Sequence, residues 1–239
     1  MPQAVRARSP IHRRRSSDPG RSSARTLATD LFEEIRADIL HNRLDPGARL
    51  MFRDLRERYR SGLSPLREAL MRLAAEGLVI LEDHRGFRVA PATRDEMIDI
   101  ANTLVEIEAL AIRMACEKGD DHWEAGIVAR FHELSKRPMF AADGTLDEEW
   151  EERNVAFHQS LYDACGSPSL KFVCRVLYER HCRYRRLWSR TDNQTRDVAR
   201  EHELLMKAAL SRDATAAIAL LRDHRSATLA DVVATAPGA

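Results

Sequence analysis

The sequence predicts a mainly α protein carrying one short β-hairpin. Three observations point there. Glycine and proline are scarce, at 10 and 9 in 239 residues. From residue 27 onward apolar residues recur at helical spacing. Two four-residue strand-like runs, the apolar 78–81 and the mainly apolar 87–90, flank a glycine-containing turn. With 44% hydrophobic and 31% charged residues, the chain has the balance of a globular protein, large enough for one large domain or two modest ones.

In residues 26–40, Leu27, Leu31, Ile35 and Ile39 recur every four residues while Asp30, Glu33 and Glu34 point away, which is an amphipathic helix. Asp45-Pro46-Gly47 marks a turn, and residues 51–59 give a second, short helix. A third helix is bracketed at both ends. Ser64 is expected as N-cap with Pro65 at the first helical position, and Gly77 follows the C-cap after Leu66, Leu70 and Leu73. The runs at 78–81 and 87–90 are then strands, with Gly86 making the tight turn between them.

Three helices and a hairpin within about 65 residues is the layout of a winged helix-turn-helix, which sends one helix into the major groove of DNA. The charge distribution agrees. Residues 1–25 carry seven arginines against Asp18, residues 26–90 carry eleven basic and eleven acidic groups, and residues 91–239 carry 20 and 25. A basic, Ser- and Pro-rich arm thus precedes an acidic body, and we expect residues 1–25 to be disordered and able to lie along phosphates. Between residues 49 and 72 stand Arg49, Arg53, Arg56, Arg58, Arg60, Arg67 and Arg72 against Asp54, Glu57 and Glu68. Arginine suits bidentate contacts to phosphate or guanine, although the same residues also suit a solvated helix face.

The stretch "LRERYRSGLSPLREALMRLAAEGLVILEDHRGFRVAP" resembles the DNA-binding signature of GntR-type bacterial transcription regulators. The resemblance implies that Arg53 and Arg67 contact the operator, that Ser64, His84, Arg85 and Gly86 touch backbone or minor groove, and that Glu68 pairs locally to orient the arginines. Leu63 stands where many relatives have a base-reading arginine, and Gly62 replaces a common Ser or Thr. The remainder, residues 92–235, resembles the FadR-type effector domain, or FCD, an antiparallel all-α helical bundle. Segments such as "HRGFRVA" and "GDDHWEA" are further similar to the carbon-starvation-type regulators in that family. The expected division is an arm at 1–25, a winged helix-turn-helix at 26–91 and an effector and dimerisation bundle at 92–235.

Asn154 and His158 lie four apart on one helix face. His202 and His224 each lie eleven residues from Asp213, where two helices are expected to join. At roughly 1.5 Å rise per residue an antiparallel hairpin brings them level. Three imidazoles and one oxygen donor then converge inside the bundle. Taken singly, each histidine reads as well as an ordinary core or surface residue. The resemblance selects the metal reading, since FCD domains hold a divalent ion through Asp or Asn plus three histidines. Zinc suits such a set, with nickel or manganese as alternatives.

An open metal position in a buried pocket would attract a small carboxylate effector, and Arg183 and Arg186 are its candidate partners. Many relatives carry an arginine four residues before the position of Glu108, where this sequence has Leu104. The expected protein is a ligand-responsive repressor, a homodimer on a double-stranded DNA operator. A metal-sensing regulator uses the same residues. A metal-dependent hydrolase is disfavoured, because the chain has no HExxH, nucleophile elbow or glycine-rich phosphate loop. No apolar run nears the roughly 18 residues of a membrane span and the N-terminus lacks an apolar signal core, so a cytoplasmic protein is expected. The four cysteines form no CxxC pair and are read as packing residues.

Overall fold

The computed structural model describes residues 27–83, 85–189 and 196–236. It is mostly helical. Helix α1 (Leu27–Leu40), strand β1 (Arg49–Leu50), helices α2 (Phe52–Tyr59) and α3 (Leu63–Ala75), and strands β2 (Val79–Glu82) and β3 (Gly86–Val89) form the first unit. Leu31, Ile35 and Ile39 of α1 are buried against Leu66, Leu70 and Leu73 of α3, while Leu27 is exposed. Burying such side chains stabilises by about 1.5–3 kcal/mol each, which sets how α3 is held. Gly77, at φ +73°, turns the chain from α3 into β2, and Gly86, at φ +83°, closes the hairpin.

Two expectations need correction. The sheet has three antiparallel strands in the order β1-β3-β2, because Leu50 pairs with Phe87 as Leu81 does from the other side. A two-residue strand carries no alternation by which sequence could reveal it. Ser64 is not an N-cap. The cap is Gly62, extended at φ −77° and ψ 167°, and it makes no side-chain capping bond. Arg60 ends α2 in the left-handed region at φ 47°, and α3 begins three residues later, so Ser64 and Pro65 sit inside its first turn. Proline is harmless there, since the first helical N–H groups lack intrahelical partners.

The second unit contains α4 (Arg94–Lys118), α5 (Asp121–Ser135), α6 (Glu148–Ser160), a short 3-10 turn at Asp163–Cys165, α7 (Pro168–Trp188), α8 (Val198–Leu210) and α9 (Ala214–Thr235). Helix α4 packs along α7 and α9, α5 against α6 and α8, and α8 against α9. The first unit docks through α1 onto α7. Asn42 Nδ2 donates to the Arg183 carbonyl at 3.1 Å, and Arg36 bridges Glu76 of α3's end and Glu179 of α7. Among the described residues no helix is long and apolar enough to cross a membrane. Cys116, Cys165, Cys174 and Cys182 are buried free thiols. Burial pushes the Cys174 thiol up to about 12, away from reactivity.

Candidate metal centre and nucleic-acid interface

The outer face of the first unit carries the arginines. Arg53, second in α2, is exposed and, among the described residues, pairs with its neighbour Asp54 at 3.0 Å. Ser64 and Arg67 are exposed on α3, and Arg85 and Gly86 at the tip of the hairpin. His84 lies outside the described residues, as does the arm at 1–25. Arg53, Arg56 and Arg60 line a hollow that ends at Leu63. Glu68 is exposed and shows no hydrogen-bond or ion-pair partner among the described residues, so its expected local pairing is not found.

In the bundle, one face of α6 presents Glu151, Asn154 and His158, all buried. Helices α8 and α9 form a hairpin around Asp213, which caps α9 by accepting from Ala216 N at 2.9 Å. His202 and His224 thereby come level, with ring centroids 4.8 Å apart. His158 lies 5.2 Å from His202 and 5.1 Å from His224 by the same measure. One ligand nitrogen from each of the three lies within 4.8 Å of the others. Phe157 packs edge-on against His202 at 5.1 Å, with Trp150 6.2 Å away on the same ring.

The donor atoms are left free inside the protein. Both ring nitrogens of His158, Nε2 of His202 and Oδ1 of Asn154 are buried without a hydrogen-bond partner. The Asn154 amide is held by its other end, Nδ2 donating to Tyr178 OH at 3.2 Å. His224 Nδ1 lies 2.7 Å from Glu201 Oε2, so this nitrogen donates and leaves Nε2 as a lone pair. Arg196 donates to both oxygens of the Glu201 carboxylate, including the one that meets His224, and also bonds Asp231. Burial, reinforced by the nearby charge of Arg225, keeps all three imidazoles well below their ordinary pKa and therefore neutral, the form that binds metal.

Buried polar atoms in proteins almost always have partners. A cluster of orphaned acceptors at this spacing fits a divalent ion held by Asn154, His158, His202 and His224. A cleft of about 310 Å³ between α5, the following loop and the start of α8 reaches His202 from the surface.

Arg183 and Arg186 are not at this cluster. Arg183 Nη2 donates to the Ala90 carbonyl at 2.7 Å and Arg186 Nη1 to the Leu40 carbonyl at 3.3 Å, both in the first unit. A helix turns about 100° per residue, which sends position 183 to the face opposite Tyr178, His181 and Arg185 and position 186 to the side between them. Tyr178, His181 and Arg185 face the bundle interior. Arg185 is 3% exposed, ion-paired to Glu151 at 3.2 Å, and its guanidinium lies 5.4 Å from the Trp150 ring. His181 is buried with both nitrogens unpartnered. The spacing of Cys174, Tyr178, His181 and Arg185, four, three and four, was the available sign of an inward face. Arg225 lies on the same interior side, bidentate on Glu108 at 2.9 and 2.8 Å and over the Tyr178 ring at 4.6 Å.

Comparison with known proteins decides what this arrangement belongs to. The model of the bacterial regulatory proteins, gntR family, matches residues 27–89, and that of the FCD domain matches residues 99–227. The chain belongs to the gntR family of DNA-binding transcription regulators. Among its relatives, the uncharacterized HTH-type transcriptional regulator BphR of Paraburkholderia xenovorans is 37% identical over 214 residues, covering 88% of this chain and 87% of that one. The HTH-type transcriptional repressor GlaR of Escherichia coli is 34% identical, covering 82% and 90%. The solved structure of E. coli McbR/YncC superposes with a TM-score of 0.72 at 20% identity, covering 87% of this chain and 98% of that chain, which shows a shared fold. These gntR-family relatives are transcription regulators and not enzymes.

Proposed function

We propose that this gntR-family regulator is a homodimeric repressor whose bundle binds a divalent metal through Asn154, His158, His202 and His224, and a small carboxylate beside it. The carrying observation is the set of buried donor atoms without partners, Asn154 Oδ1, His158 Nδ1 and Nε2, and His202 Nε2. Zinc suits three neutral imidazoles and an amide oxygen. The ion, when bound, supplies positive charge and an open coordination position in a dry site.

None of the four ligands carries charge, and Arg185 and Arg225 are each matched by one carboxylate, Glu151 and Glu108. Arg196 balances one of the two carboxylates Glu201 and Asp231 beside His224, so a divalent ion would still leave about one positive charge in low dielectric, which an anionic effector offsets. We assign the effector contacts to Arg185 and His181 in place of Arg183 and Arg186. Arg183 and Arg186 have a different part in this reading. They tie the back and side of α7 to Ala90 and Leu40, so a shift of α7 on effector binding is passed to the winged helix. Such a shift changes operator affinity by as much as the effector prefers one arrangement. In this scheme residues 26–91 read DNA through Arg53, Ser64, Arg67, His84, Arg85 and Gly86, residues 92–235 bind effector and dimerise, and the arm at 1–25 follows the phosphates.

The test is elemental analysis of purified wild type, His202→Ala and His224→Ala, with a thermal-shift screen of small carboxylic acids with and without chelator. Metal lost in both variants, and acid-induced stabilisation abolished by chelator and by Arg185→Ala, support the reading. Full metal retention in both variants overturns it. Metal-dependent operator binding indifferent to every acid identifies a metal sensor instead.

A further inference from the structure

Leu63, the first residue of α3, is 54% exposed. A single exposed leucine means little by itself. Its place is what matters. Leu63, Arg67 and Met71 are spaced i, i+4 and i+8 and all three are exposed; Leu63 lies about 20° around the helix from buried Leu70 and is exposed at the N-terminal end of α3. Leu63 also ends the hollow lined by Arg53, Arg56 and Arg60. Three cations against Glu57, with Arg53 also paired to Asp54, leave this apolar tip beside a net positive hollow, matching a surface where phosphates flank a base edge.

We infer that Leu63 reads the 5-methyl group of a thymine in the operator's major groove. The inference rests on the DNA-binding assignment, with α3 as the reading helix. Recognition helices meet base edges through their N-terminal residues, which selects Leu63 over Met71, about 12 Å farther along the axis. In the major groove only thymine offers an apolar group. Guanine, cytosine and adenine present donors or acceptors that a leucine would strip of water and leave unpaired. The side chain therefore acts in two directions, gaining contact with one base and penalising the others.

The experiment uses the full-length chain. A consensus duplex is selected from a random pool, and each symmetric thymine pair in it is replaced in turn by deoxyuridine, which keeps base pairing and removes only the methyl group. One pair lying in the half-site region covered by α3 should weaken wild-type binding about three- to fourfold per methyl, the loss expected for one exposed methyl group. The same replacement should leave Leu63→Ala unaffected, and the exposed position lets that variant fold. Equal affinity for every deoxyuridine duplex overturns the inference, and so does equal sensitivity in Leu63→Ala. A pool with no enriched consensus removes the DNA reading beneath it, a separate and recognisable failure.

Discussion

Helices α4 to α9 of the bundle close their own N-terminal ends, and α2 and α3 of the winged unit do not. Thr93, Asp120, Asp147, Ser167, Asp197 and Asp213 each cap one of α4 to α9 with a side-chain oxygen. Met51 and Gly62, which precede α2 and α3, make no such bond. Charges follow the same division. Glu108 and Arg225 satisfy each other in the bundle interior, whereas Arg67 stands exposed with no partner among the described residues. A capped helix holds its N–H groups for itself, while an open one, carrying positive dipole, attracts phosphate. The bundle is built for closure around its cluster, and the winged unit gives up some stability to keep donors and cations available.

The largest effect that tests this contrast is Glu108→Ala, which leaves Arg225 buried and unpaired. Stability should fall by about 3–5 kcal/mol, seen in chemical denaturation. A loss under 1 kcal/mol would mean the pair is not closed to water. Arg67→Ala should leave denaturation unchanged and reduce discrimination for the selected duplex by about 1–3 kcal/mol in a shift assay. Undiminished binding would place the reading face elsewhere. Asp213→Ala removes one bundle cap and should cost about 1 kcal/mol, with no direct effect on duplex affinity.

A smaller effect concerns Asp38 of α1. Burial would raise its carboxyl, but hydrogen bonds from Tyr59 and Arg58 carry it below its ordinary value. Its stabilisation is thus fully present above the unfolded value of about 3.9 and is lost as pH falls through the folded one. Asp38→Asn should flatten the acid limb of the stability curve below about pH 4, and an unchanged limb would exclude Asp38 as its source. Last, Gly62→Asp gives α3 the cap it lacks. Only the Pro65 ring lies near the added Cβ, at 3.8 Å. Stability should rise by a few tenths of a kcal/mol while duplex affinity falls, because the new charge opposes phosphate. Movement of both in the same direction would break the proposed trade.

A Ser-Pro pair shows how far local reading carries. Ser167-Pro168 opens α7 with a true cap, Ser167 accepting from Leu170 N at 3.2 Å. Ser64-Pro65 has the same local signal and lies inside the first turn of α3, because the short turn from α2 starts that helix earlier. The histidine cluster was legible in part, since equal distances from Asp213 place His202 and His224 level whatever surrounds them. The place of the α7 arginines was less legible. Arg183, Arg185 and Arg186 are neighbours in the chain, and although the spacing of Cys174, Tyr178, His181 and Arg185 marks one face, the packing of α7 against α4 and α1 decides that this face is turned inward.

By itself the sequence determined the helices of the winged unit, the hairpin with its glycine turn, and the levelling of His202 with His224 across the last helical hairpin. These depend on periodicity, capping chemistry and backbone freedom, all of which act within a few residues. Tertiary structure decided which arginine of α7 meets Glu151, which helix ends stay open, and which donor atoms are buried without partners. Those properties depend on water being excluded by chain segments far apart in sequence, 117 residues at Glu108 and Arg225 and 146 at Leu40 and Arg186.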